Sequence, residues 1–205
     1  MVRLYPETNF LMSYATGRDP VTAQLFEHCP TGVQRVMPAC CLMEALATLE
    51  DEQKRYHRQI QIYQSAAQEA ERHASLASSA GLASHLREVI IYATTSFSDF
   101  RSRLLQIIGK FSDGLSVQLI DTIPGRFLVA FAVSEAVDPT DQLILTTILD
   151  DAQAHPSDTK VLLTENRRCF FADAGMWQSL QAAGVQKYFA NPAKFLRWHE
   201  AGAES

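Results

Sequence analysis

Between Leu42 and Ala77 apolar or small residues recur at 42, 46, 49, 53, 56, 60, 63, 67, 70, 74 and 77, with Gln53 the one residue out of character. The steps are four and three throughout, and neither proline nor glycine breaks them. A 3.5-residue period sustained this long is a heptad stripe, so this stretch is committed to one long helix. Ser78-Ser79-Ala80-Gly81 reads as a turn, and a second stripe follows at Leu82, Leu86, Val89, Ala93, Phe97, Phe100, Leu104, Ile107 and Phe111. Two long stripes joined by a short polar turn predict an antiparallel helical hairpin over about residues 42–111. At about 1.5 Å per residue the longer arm reaches on the order of 55 Å, more than a small domain's diameter, so part of it is expected to project. Alanine-rich positions 66–80 predict thin, close packing near the tip. The run Val89-Ile90-Ile91-Tyr92 is too wide for one seam and predicts a homodimer contact on the second helix.

The flanking sequence has a different texture. Strand-like segments at Val2–Tyr5, Val33–Met37, Ser116–Ile120, Thr159–Leu163 and Val185–Phe189 alternate with helical ones. The helical segments are 8–17 (capped by Thr8 or Asn9), 20–28, 124–136, 138–154 (capped by Asp138 or Thr140), 175–183 and a last one after Pro192. This alternation predicts an α/β fold with a mostly parallel central sheet between helices, the hairpin being inserted after the second strand of a single domain spanning 1–205. The chain has 205 residues, 47% hydrophobic and 20% charged, which suits one core without disulfide staples. Its formal charge of −5 excludes a dedicated polybasic binder of nucleic acid or anionic membrane. Cys29, Cys40, Cys41 and Cys169 form no C-x-x-C, the N-terminus is unlike a signal peptide, and the densest apolar run, Phe127–Val133, is seven residues. A reduced, cytoplasmic protein with no membrane partner is the expectation.

In parallel α/β sheets ligands bind at the carboxyl ends of the strands. Glu7, Thr8 and Asn9 follow the first strand, Thr164, Glu165 and Asn166 follow the fourth, Asp141 opens a helix, and Glu44 lies early in the helix after the second strand. Clustered carboxylates repel one another unless protons or cations neutralise them. Hard oxygen donors without paired Cys or His favour Mg²⁺ or Mn²⁺ over zinc. An ion so held could activate water and stabilise the transition state of phosphodiester hydrolysis.

Four segments, Y-P-E-T-N-F-L-M, P-A-C-C-L-M-E-A-L, D-P-T-D-Q-L-I-L and V-L-L-T-E-N, resemble in order the four blocks of PIN-like domains, across residues 2–49 and 115–190. The resemblance implies a sheet of parallel strands between helices and Mg²⁺- or Mn²⁺-dependent endoribonuclease activity leaving a 5′-phosphate and a 3′-hydroxyl. Glu7, Glu44 and Asp141 would be catalytic metal ligands, with Asn166 positioning water or a phosphate oxygen. Asn9, Thr164, Arg167 and Arg168 would meet the RNA. Many members are toxins or RNA-processing enzymes, so a protein inhibitor is an implied partner. Glu44 and Asp141 match the blocks outright; Glu7, Asn166 and Cys169 stand where aspartates are usual. One extra methylene at Glu7 moves its carboxylate by roughly 1.5 Å, enough to reshape an octahedral site. The alternative is a catalytically weak or inactive RNA- or protein-binding module that uses the arm as its surface.

The remaining residues take plainer readings. Residues 50–111 carry eight Lys/Arg and seven Asp/Glu, the balance of a solvated helical face. Cys40, Cys41 and Cys169 read as small packing residues, and Trp177 and Trp198 as anchors on late helices. No G-x-x-x-x-G-K occurs, which argues against nucleoside triphosphate hydrolysis.

Overall fold

A computed structural model of the chain describes residues 1–73, 75–112, 117–121, 125, 138–165 and 174–202. Among these residues lie five strands and seven helices. In chain order they are β1 (Val2–Pro6), α1 (Thr8–Thr16), α2 (Pro20–Glu27), β2 (Val33–Pro38), α3 (Ala39–Arg72), α4 (Ala77–Ser112), β3 (Gln118–Ile120), α5 (Pro139–Ala154), β4 (Thr159–Leu163), α6 (Ala174–Ala182), β5 (Val185–Phe189) and α7 (Pro192–Glu200). Packing divides the chain into two units, Met1–Ala45 with Leu104–Ser205, and Leu46–Arg103.

The first unit is built on one parallel sheet ordered β3-β2-β1-β4-β5. Each strand must return to the same end of the sheet, which is why a helix precedes every pairing. The central strands are buried on both faces, Leu4, Tyr5, Val161, Leu162 and Leu163 being wholly inaccessible. That explains why β4 reads as T-K-V-L-L rather than as an alternating strand. Pro6 ends β1 without an N–H to give, and the ladder is carried on by the Glu7 N–H, which donates to the Leu163 carbonyl at 3.2 Å. Helix starts follow their caps: Asp19 before Pro20, Asp138 before Pro139 and Asn191 before Pro192 each accept backbone N–H bonds. At α1 the capping position is Glu7, not Thr8 or Asn9, and its side chain makes no cap bond. Its carboxylate is engaged elsewhere.

Arg3 and Tyr5, two apart on β1, share one face and reach the same residue of α5. The Arg3 guanidinium pairs with both Asp151 oxygens at 2.7 and 2.9 Å, and the Tyr5 hydroxyl donates to Asp151 at 2.7 Å. Gln34 and Gln118 accept the remaining Arg3 donors. Burial alone would lower the Arg3 guanidinium, but its hydrogen bond to Asp151 and that residue's charge hold it above its ordinary value. Burial pushes the Tyr5 hydroxyl up, and Asp151 pushes it further. Around the sheet's other edge Trp177 meets Tyr188 edge-on at 5.5 Å, and Trp198 packs with Phe189 and Phe195, the anchoring roles expected of both tryptophans.

The second unit is the predicted antiparallel hairpin, but its turn comes earlier than expected: α3 ends at Arg72 and α4 begins at Ala77, so Ser78-Ser79-Ala80-Gly81, read as the turn, lie within α4. Tyr56 stacks on Phe97 with ring centroids 4.9 Å apart, its hydroxyl donates to Thr94, and Glu71 pairs with Arg87 nearer the turn. The period is as read, and most of the seam with it: Tyr56, Ile60, Tyr63, Ala67 and Ala70 on α3 and Leu86, Ala93, Phe97 and Phe100 on α4 are buried or half-buried at the expected positions. Near the turn Ala83 is buried in place of Leu82, and Val89 is exposed while Ile90 is half-buried. Glu52 is half-buried while Gln53 is exposed, so the stripe steps through position 52 there. No described helix is long and apolar enough to cross a membrane.

Candidate acidic site at the carboxyl edge of the sheet

The strand order reverses between β1 and β4: β2 and β3 build outward on one side of β1, β4 and β5 on the other. This topological switch is where an open parallel sheet leaves a crevice beyond its carboxyl ends. Glu7 follows β1 and Thr164 follows β4, and the Thr164 hydroxyl donates to the Glu7 carboxylate at 2.5 Å, directly across the switch. Both residues are buried, Glu7 to 2% exposure. Burial raises the Glu7 carboxyl to about 7. The Thr164 bond opposes that rise, the charges of Asp141 and Glu44 add to it, and an Asn9 bond opposes it.

Glu44 comes to the same edge from α3. Cys41 and Ala45 face inward in its first turns, leaving Glu44 half-buried one position away. The Thr8 hydroxyl donates to the Glu44 carboxylate and lies 3.5 Å from the Cys41 carbonyl. Burial raises the Glu44 carboxyl as well, against the Thr8 bond, and the charges of Asp141 and Asp138 raise it further. Asp141 is half-buried in the first turn of α5, held there by the Asp138 cap, which accepts the Thr140 N–H at 2.8 Å.

Glu7, Glu44 and Asp141 therefore belong to one electrostatic neighbourhood although they come from three separate elements. Among the described residues, however, no three His, Cys, Asp or Glu side chains stand close enough to hold a metal ion as placed. Asn9 is exposed and bonded to Glu7; Thr164 is buried and committed to Glu7; Glu165 is exposed. Asn166, Arg167, Arg168 and Cys169 lie outside the described residues, as does the predicted helix 124–136 apart from Gly125.

The sequence places Thr8 at the strand end but gives it no role of its own, because it also passes for a helix cap, and Asp138 reads only as a cap. The signal available was a hydroxyl or carboxylate beside each acid at a strand or helix end. Cys40 and Cys41 are buried, as packing residues are, and the Cys41 thiol is pushed up by its bond with Cys40 and by burial. A groove of about 330 Å³ between α5 and α6, lined by Thr146, Leu149, Asp150, Gln153, Ser179 and Ala182, lies further along α5 than Asp141.

The fold and this edge define a class: a parallel α/β domain with a carboxylate cluster at its topological switch and a helical hairpin inserted after the second strand. No family model, no curated protein and no solved structure matches the chain.

Proposed function

We propose that the acidic edge is the divalent-cation site of a PIN-like, metal-dependent endoribonuclease. The observation that carries this reading is the mutual repulsion of Glu7, Glu44 and Asp141 at the switch crevice, where burial and like charge raise both glutamates together. Buried like charges of this kind are stabilised by a proton or by a cation. The donors fit Mg²⁺ or Mn²⁺: they are hard carboxylate oxygens with hydroxyl and amide neighbours, and the nearby Cys41 is buried with its thiol pushed toward the protonated form. An ion bound there would polarise a phosphoryl oxygen and lower the pKa of water.

The chain's own residues set up that chemistry. Thr164 fixes Glu7 and Thr8 fixes Glu44, each by donating its hydroxyl proton to the carboxylate. Asp141 supplies the third carboxylate from a capped, and therefore rigid, helix start. Asn9 lies exposed at the rim, placed to meet a sugar or phosphate of the substrate. Asn166, Arg167 and Arg168 follow Thr164 by two to four positions in the chain and complete the proposed RNA contacts.

The test is incubation of the full chain with single-stranded RNA and Mn²⁺, wild type beside Asp141→Asn and Glu44→Gln. Cleavage leaving 5′-phosphates, reduced at least about 100-fold in both variants, is the expected result. RNA left intact by wild type at saturating Mn²⁺ overturns catalysis. A second reading, a binding module of the same fold without catalysis, is favoured by one observation: the three acids as placed do not share one coordination sphere. RNA retention without cleavage would establish that reading.

A further inference from the structure

Residues 59–68 of α3 and 89–98 of α4 carry no Asp, Glu, Lys, Arg or His. The Tyr56–Thr94 and Glu71–Arg87 contacts fix the register of the hairpin, so these two tens of residues lie at the same level of it. Together they form an uncharged belt about 15 Å tall. Within it Ile62, Ile91 and Tyr92 are 66, 63 and 74% exposed, and Val89 is 42% exposed. Val89 and Tyr92, three apart, share one face of α4. Ordinary solvated helices intersperse charges along their outward faces, and at this level neither helix of the arm does so.

We propose that the belt is a docking surface for a second copy of this chain, arm against arm and antiparallel. A two-fold pairing lays the same patch on itself, so an uncharged belt meets its own image without desolvating a single charge. The flanks set the direction. Toward the base of the arm, residues 50–58 and 99–103 hold four acids and five bases, a formal +1; toward the tip, residues 69–88 hold three acids and two bases, a formal −1. Antiparallel docking sets base against tip and therefore opposite signs together, whereas parallel docking sets each flank against its own sign.

The ion pairs inside the arm sharpen this. Lys54 pairs with Glu50 and Asp51, Arg55 with Glu52, Arg72 with Glu69, and Arg87 with Glu71. Arg58 has no acidic partner among the described residues, and Glu88 has only the more distant His85 at 3.7 Å. With the two-fold axis at the middle of the belt, Arg58 of one copy falls level with Glu88 of the other, to within about one helical turn. The absence of Lys and Arg from the belt itself excludes nucleic acid as its occupant, since phosphate contacts carry that affinity.

Sedimentation equilibrium of the full chain over a wide concentration range tests the proposal, with wild type beside Tyr92→Asp and Ile62→Asp. Both positions are exposed, so the hairpin tolerates the change, and helicity by circular dichroism checks that it does. The expected result is a concentration-dependent dimer in wild type whose dissociation constant rises at least tenfold in each variant. Wild type that stays monomeric throughout overturns the proposal and leaves the belt to a different protein. A dimer unaffected by either variant overturns it equally, placing the interface elsewhere. Arg58→Glu tests the direction: it weakens the dimer two- to fivefold, and adding Glu88→Arg restores it. An unchanged dimer in Arg58→Glu rejects the antiparallel arrangement.

Discussion

Two groups of buried charge sit at opposite ends of β1 and meet opposite fates. Near its start Arg3 is buried to 2% exposure but meets the two oxygens of Asp151 in a bidentate pair, with Gln34 and Gln118 taking its other donors. Just past its end Glu7 is equally buried and meets Glu44 and Asp141, which carry its own sign. The first group is internally compensated, so it needs nothing from outside and serves to lock β1, β2, β3 and α5 in register. In the second, the hydroxyls of Thr164 and Thr8 and the amide of Asn9 meet the two glutamates, and like charges surround them. The lesson is that burial of charge is not itself a functional signal; burial of like charges at an open sheet edge is, because stability alone would not keep them there.

The largest effect that separates the two ends comes from breaking the compensated one. Asp151→Ala removes the bidentate counter-charge of the buried Arg3 guanidinium, leaving only Asp158 at 3.8 Å, and strands the Tyr5 hydroxyl, and should cost about 3 kcal/mol. Urea denaturation measures this; a loss below about 1 kcal/mol would mean that the network contributes little. At the other end the expected sign is reversed. Glu7 titrates at about 7 in the folded chain and near 4.5 unfolded. Between those values the folded state holds a proton that the unfolded state has released, so stability falls as pH rises through the window and the penalty is complete above it. Glu7→Gln keeps an acceptor for Thr164 and removes the charge. It should stabilise by about 3 kcal/mol above pH 7 and by almost nothing below pH 4.5. Thermal melts across that range check the slope, and parallel curves for the two proteins would refute it.

The two ends were not equally legible in the amino-acid sequence. Glu44 and Asp141 could be placed near the carboxyl edge because alternation of strands with helices gives the fold, and in such a fold the residues that open the helices after the strands gather there. Arg3 could not be placed: in V-R-L-Y it reads as the solvent-facing member of an alternating strand, and its partner lies 148 positions away. Local pattern carries no information about a contact of that range. Thr8 was hidden for a different reason, since a threonine that opens a helix is already explained as a cap. In the arm, periodicity gave the helices, their pairing and most of the seam; it missed Ala83, because apolarity ranks Leu82 above it while close packing near the turn selects the smaller residue.

The remaining predictions ask whether a cation can make the acidic end resemble the paired one. A ligand that binds only the folded chain stabilises it by about 2.7 kcal/mol at a hundredfold excess over its dissociation constant. Mn²⁺ should therefore raise the melting temperature saturably in wild type and not in Asp141→Asn. The rise should be larger at pH 8 than at pH 5.5, since the ion competes at Glu7 with the proton that burial retains. The same rise in both proteins would leave these acids without a specific ion. The smallest effect belongs to the arm, where charges are paired in water and not in the core. Arg55 and Glu52 form an exposed ion pair one turn apart on α3. Arg55→Ala should cost about 0.5 kcal/mol or less, and less still in 1 M salt. A loss approaching that of Asp151→Ala would show that exposure does not govern the value of an ion pair here, and the contrast between the two ends of β1 would have to be explained by geometry rather than by burial.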